Sequence, residues 1–219
     1  MRRRAALEDV LVSEKLFAIL RAVPDVHLLH LVEAIVDGGI RAIEVTYSDP
    51  CASRQIRRLR ETVPDNVLIG AGTVTSASVA EEALEQGAAF LVTPHLQLDV
   101  IEVANRCGAA LVCGALTPTE IAEARRNGAR LIKIFPASVM GASYFRALLG
   151  PYPDLELFAV GGLSEKNLLQ YLESGAVGAA IGGALTNVAW QDPDFDGVRS
   201  MARKLTSLVA MHYRRNPAG

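Results

Sequence analysis

Residues 125–136 read RRNGARLIKIFP, a basic segment, a glycine, and then a short apolar run ending at a proline. Gly128 stands where a helix C-cap glycine belongs, and LIKIF has the near-continuous apolar character of a strand buried on both faces. The same helix–glycine–strand joint recurs as DGGIR, EQGAA, NRCGAA and ESGAV. Seven further apolar runs match LIKIF: KLFAIL (15–20), AIEVTY (42–47), VLIGAGT (67–73), FLVTP (90–94), ALVCGA (110–115), LELFAVGG (155–162) and VGAAIGG (177–183). They recur about every 20 to 25 residues, and segments of helical period separate them. One of these, SASVAEEALEQGA, carries a serine cap at its start and Gly87 at its end.

Eight such strands and a last helix in VRSMARKLTSLVAMHYRR predict a single (β/α)8 barrel over residues 1–219. The competing doubly wound sheet usually has five or six strands and a glycine-rich turn after the first. Here AILRAVPD follows the first strand, with no glycine. A chain of 219 residues, half of them hydrophobic, suits one barrel.

Charge and composition narrow the function. A net charge of −2 gives no support for a nucleic-acid partner. The basic start MRRR leads into AALEDVLVSEK, which is too charged for a signal-peptide core, and no apolar run approaches a membrane span of roughly 18 residues. Three cysteines, Cys51, Cys107 and Cys113, form neither a CxxC pair nor an even set, which suits a reducing cytoplasm. His, Asp, Glu and Cys nowhere fall at metal-ligand spacing, so neither a metal nor another cofactor is expected.

In a barrel of this type the chemistry sits at the C-terminal strand ends. Strand alternation puts Leu131, Lys133 and Phe135 on one face, and Ala42, Glu44 and Thr46 on one face of another strand. A charged side chain is costly against the apolar helix layer, so Lys133 and Glu44 are both expected to point into the barrel. Lys133 alone of the four lysines lies in an apolar run. It reads either as a buried ion-pair partner for Glu44 or as a nucleophile. Desolvation of an amine disfavours its ammonium form and leaves the neutral amine that attacks a ketone, with a carboxylate at hand to move protons.

Gly161–Gly162 after the seventh strand and Gly182–Gly183 after the eighth occupy the loops that form a phosphate site in many barrels. A helix opening near Ser164 adds its N-terminus to the first. Thr73 after GAG reads as a ligand contact or a strand-end hydroxyl. His95, His27 and His30 read as structural, and Cys113 as small core.

In order and spacing, LFAILR, DGGIRAIEVT, IGAGTV, LVTP, KIFPAS, FAVGGLSEKNL and IGGAL resemble the bacterial 2-keto-3-deoxy-6-phosphogluconate (KDPG) and 4-hydroxy-2-oxoglutarate (KHG) aldolases over nearly the whole chain. The resemblance implies a class I aldolase, usually a homotrimer, that acts on a small-molecule keto acid and yields pyruvate and an aldehyde, either glyceraldehyde 3-phosphate or glyoxylate. It places the Schiff-base lysine on Lys133, the acid/base glutamate on Glu44 and the carboxylate-binding threonine on Thr73. The phosphate turns fall on Gly161, Gly162, Gly183 and Ala184. EVTYSDP has Ser48 where gluconate enzymes carry an arginine. Together with Arg21 after the first strand and the phrase FAVGG, this leans toward the 6-phosphogalactonate (KDPGal) branch, with Arg21 as a second carboxylate ligand. Ala184 replaces a frequent serine. Ser48 and Ala184 leave open a lapsed member that only binds a phosphorylated acid. Another phosphate-binding barrel, such as an epimerase or thiamine-phosphate synthase, would not explain KIFP.

Overall fold

A computed structural model describes residues 2–186 and 188–215. Eight parallel strands close in sequence order into a barrel. They are β1 (Leu16–Leu20), β2 (Ala42–Thr46), β3 (Leu68–Gly72), β4 (Phe90–Val92), β5 (Ala110–Ala115), β6 (Leu131–Ile134), β7 (Glu156–Val160) and β8 (Gly178–Ile181). Each lies inside one of the eight apolar runs, and the run residues left over form the strand-end loops. Helices α1 (Arg2–Glu14), α2 (Leu28–Asp37), α3 (Ala52–Thr62), α4 (Ala77–Glu85), α5 (Leu98–Cys107) and α6 (Pro118–Arg126) accompany the first six strands. After β6 come α7 (Ala137–Met140) and α8 (Ala142–Leu149), then α9 (Leu168–Glu173), α10 (Gly183–Thr186) and the closing α11 (Phe195–Arg215).

The repeated joint is built as its sequence predicts. Gly39, Gly87, Gly108, Gly128 and Gly175 all take positive φ, the left-handed conformation that lets a helix end and turn into the next strand. Ser76 caps α4 by accepting from Val79 N–H at 3.3 Å. Thr117 and Glu120 form a reciprocal capping box on α6.

Side-chain alternation divides the interior into two cores. Outward residues such as Ile43, Ile69, Ile132 and Ile134 pack with the helices. Cys113 belongs to this outer layer. Inward residues fill the lumen, where Phe17 stacks on Phe158 at 4.8 Å and tilts against Phe90 at 5.5 Å. These rings fit because the neighbouring strands carry glycine. A Cβ on Gly70 would lie 2.4 Å from Phe90, and one on Gly178 would lie 2.5 Å from Phe158.

Helix α1 has no counterpart in the sequence reading. It lies across the N-terminal ends of the strands, where Leu11 is fully buried in the lumen cluster. Buried Arg4 secures it, donating to Glu8 at 2.8 Å, to the Gly128 carbonyl at 2.9 Å and to Asn105. Arg130 adds an ion pair to Asp9 at 2.6 Å.

Leu11→Ala should lower unfolding free energy by about 2–5 kcal/mol in urea titration, the cost of a core leucine truncation. Turnover should be unchanged, because Leu11 is at the opposite end of the barrel from the cavity described next.

Candidate active site

Strand β6 carries Leu131 and Lys133 toward the lumen, with Ile132 and Ile134 facing the helices. Lys133 is only 5% exposed, and its Nζ lies 5.2 Å from the centre of the Phe135 ring. On β2, Glu44 follows lumen-facing Ala42 and is 1% exposed. Glu44 Oε2 is buried without a hydrogen-bond partner. Burial pushes its carboxyl above the ordinary 4.5, and the charges of Lys133 and then Arg21 pull against that rise.

Space for the Glu44 carboxylate comes from the GAG of β3. Gly72 pairs with Thr46, and a Cβ on Gly72 would sit 1.8 Å from Glu44 Oε1. Thr73 follows at φ +56, a left-handed conformation uncommon for a residue with a Cβ. Ala22, directly after Arg21, shows the same feature at φ +50. Backbone strain at two strand ends beside one cavity is typical of a functional site.

That cavity, of about 550 Å³, opens at the C-terminal strand ends. Lys133, Arg21 and Thr73 line it, and so do all four residues of the expected phosphate turns, Gly161, Gly162, Gly183 and Ala184. Glu44 is set behind this wall rather than on it. Arg21 makes no hydrogen bond among the described residues, so its guanidinium is available to an anion.

The two glycine turns differ in construction. Gly161 and Gly162 take φ +97 and +76, and a Cβ on Gly162 would lie 2.4 Å from Ser138 Cβ. The regular helix after them starts at Leu168 rather than near Ser164. In the lead-in, Asn167 clamps the loop, its amide accepting from Ser164 N–H at 2.8 Å and donating to the Gly162 carbonyl at 2.9 Å. Gly183 and Ala184 are the first residues of α10, where backbone N–H groups have no helical acceptor. Thr186 ties that turn to β1 through the Ile19 carbonyl at 3.3 Å.

His95, His27 and His30 make packing and loop-joining contacts. Gln97 donates to His95 at 3.0 Å and to the Thr75 carbonyl at 2.9 Å, which joins two loops. His27 stacks on Trp190 and meets its carbonyl at 3.0 Å, and His30 lies against Phe195. Among the described residues no three His, Cys, Asp or Glu side chains are grouped to hold a metal, and no helix is long and apolar enough to cross a membrane. Sequence reading missed Asn167, whose partners lie three and five residues back in the same loop, and Ser138, whose N–H donates at 3.1 Å to the Gly161 carbonyl of a distant strand end.

A family model described as KDPG and KHG aldolase matches residues 7–201. The chain belongs to the KDPG and KHG aldolase family. A 2-dehydro-3-deoxy-6-phosphogalactonate aldolase of Escherichia coli strain K12 is 37% identical over 172 residues, 78% of this chain and 83% of that protein. A 2-dehydro-3-deoxy-phosphogluconate aldolase of Pseudoalteromonas atlantica is 33% identical over 84% of this chain and 86% of its own. A solved KDPGal structure superposes with a TM-score of 0.85 at 30% identity, covering 91% of this chain and 96% of that one. This member of the family is a class I aldolase, an aldehyde-lyase that cleaves a keto acid through a Schiff base to pyruvate and an aldehyde.

Glu44→Gln isolates the buried carboxyl. A folded-state pKa raised above 4.5 means the native protein holds a proton that the unfolded chain has released. The stability contributed by that proton is full below about 4.5 and is lost as pH rises through the raised folded value. The Glu44→Gln variant lacks this loss, so its melting temperature should gain on the wild type as pH climbs through that window. A constant difference across a pH series would refute the assignment.

Proposed function

We propose that Lys133 is the Schiff-base lysine, that Glu44 carries the protons, and that the substrate is a 2-keto-3-deoxy-6-phospho sugar acid of the galactonate type. One observation carries this reading: a buried lumen lysine opens on a cavity with a free arginine on one wall and two glycine turns on another. Arg21 and Thr73 take the substrate carboxylate. The backbone amides of Gly161, Gly162, Gly183 and Ala184 take the phosphate, as amides at glycine turns and helix starts do.

The Lys133 amine attacks the C2 ketone, and the carbinolamine hydroxyl, protonated by the Glu44 acid, leaves as water to give a protonated imine. That imine accepts the C3–C4 bonding electrons while the C4 hydroxyl gives up its proton, and the aldehyde departs. The enamine left on Lys133 takes a proton at C3, and water then releases pyruvate and restores the amine. Glu44 serves each of these transfers, and the proton freed when water releases pyruvate returns to it. Because it sits behind the cavity wall, it works through a bridging water or a substrate hydroxyl.

Ser48 supports the galactonate preference. Its hydroxyl is engaged by Thr46 at 3.0 Å and it does not line the cavity, whose lining arginine is Arg21. The 37% identity to the Escherichia coli galactonate enzyme, against 33% to the gluconate enzyme, leans the same way. The family resemblance also supports three subunits, and the exposed apolar Val26 and Val139 offer surface to bury. Three free cysteines suit a cytoplasmic setting.

Borohydride with pyruvate should leave a stable adduct on Lys133 by intact mass and peptide mapping, and Lys133→Ala should show none and no turnover while folded. An adduct elsewhere, or full activity in the variant, ends the assignment. In steady-state kinetics the galactonate-type substrate should give the highest kcat/KM of a panel with the gluconate and 4-hydroxy-2-oxoglutarate compounds. Light scattering should return three times the 23.4 kDa chain mass.

A further inference from the structure

We propose that Gln55 of α3 is a positioning residue for Arg21, acting through the loop that joins β1 to α2. The inference rests on the reading that Arg21 binds the substrate carboxylate.

Gln55 stands on the buried face of α3 with Ala52, Ile56 and Leu59, where an apolar side chain is expected. It is only 2% exposed. Its amide nitrogen spends both hydrogens on one loop, donating to the Val23 carbonyl and to Asp25 Oδ1, each at 2.8 Å. Two neighbours on α3 grip the same loop. Arg54 Nε donates to Asp25 Oδ2 at 3.1 Å, and Arg58 donates to the Asp25 carbonyl at 2.9 Å. The Gln55 bond, and then Arg54, hold the Asp25 carboxyl below its ordinary 3.8, so Asp25 stays a charged acceptor.

What the grip controls is the backbone immediately after Arg21. Ala22 sits at φ +50, a conformation that persists in a residue with a Cβ only where the surroundings enforce it. Val23, next in the chain, is buried, and its carbonyl is the one Gln55 holds. Arg21 has no hydrogen bond of its own among the described residues, so the aim of its guanidinium depends on this backbone. An arginine held for bidentate carboxylate binding loses affinity when its base can move, while the bond-breaking step at Lys133 is untouched.

Gln55→Met keeps length and removes both hydrogen bonds. KM for the keto acid should rise roughly tenfold, with kcat held within about twofold, the pattern of lost uniform binding. In an Arg21→Ala background, the same substitution should change KM no further, because the route through Arg21 is already cut. An unchanged KM in Gln55→Met, or an equal rise in both backgrounds, overturns the proposal. If Arg21→Ala alone leaves KM unchanged, the carboxylate reading itself fails and takes this inference with it, so the two failures are distinct. Should Gln55→Met not fold, Asp25→Ala decides the matter by removing one anchor at the surface. It should give a smaller KM rise that vanishes without Arg21; no rise, or one that persists without Arg21, overturns the proposal.

Discussion

A carboxyl group held out of water is the constraint from which the mouth of this barrel is built. Glu44 would be costly in the lumen were it a bare anion, and two features make it tolerable: burial favours its neutral acid, and two cations stand close enough to oppose that shift. Room for it is just as specific. Gly72 lies where any side chain would collide with the carboxylate, so the glycine of one strand and the glutamate of its neighbour form one unit. Lys133, fixed on β6 with its flanking isoleucines turned to the helices, completes a lumen that is apolar below and charged above.

The floor of that lumen explains why the charges can stay. Phe17, Phe90 and Phe158 fill the interior at aromatic contact distances, and glycines on adjacent strands yield the width they need. Helix α1 then closes the far end with Leu11. With water kept from below, the electrostatic coupling of Glu44 to Lys133 and Arg21 acts in a medium of low polarity, where a given separation counts for more than it does in solvent.

Much of this was legible in the amino-acid sequence, for identifiable reasons. Strand alternation is strictly twofold, so Lys133 and Glu44 could be turned inward from the spacing of their neighbours alone. Glycine at a helix end leaves a local signature, and the five repeated joints are real. What stayed hidden depends on partners distant in the chain. Helix α1 lacks a clean apolar stripe, because Arg4 is buried against Gly128 and Asn105, groups only the closed barrel brings together, and Glu8 is buried as its ion-pair partner. Asn167 was missed for another reason: its partners, Ser164 and Gly162, are close in the chain, but the amide's clamp on that turn has no sequence signature. Gln55 falls in a sequence of arginines, ASRQIRRLR, where nothing marks it as the buried one.

Sealing one end of the barrel also gives the lumen a direction. Under the proposed binding mode, a molecule held on Lys133 with its phosphate at the α10 turn has its tail toward the open strand ends and its head toward the closed floor. Once the chain is cut between them, the tail fragment stands toward the open mouth. The piece still attached to the lysine can leave only after it. On the proposed mechanism the covalent bond to Lys133 keeps pyruvate back, and the plug at the bottom leaves the mouth as the aldehyde's way out, without any moving part.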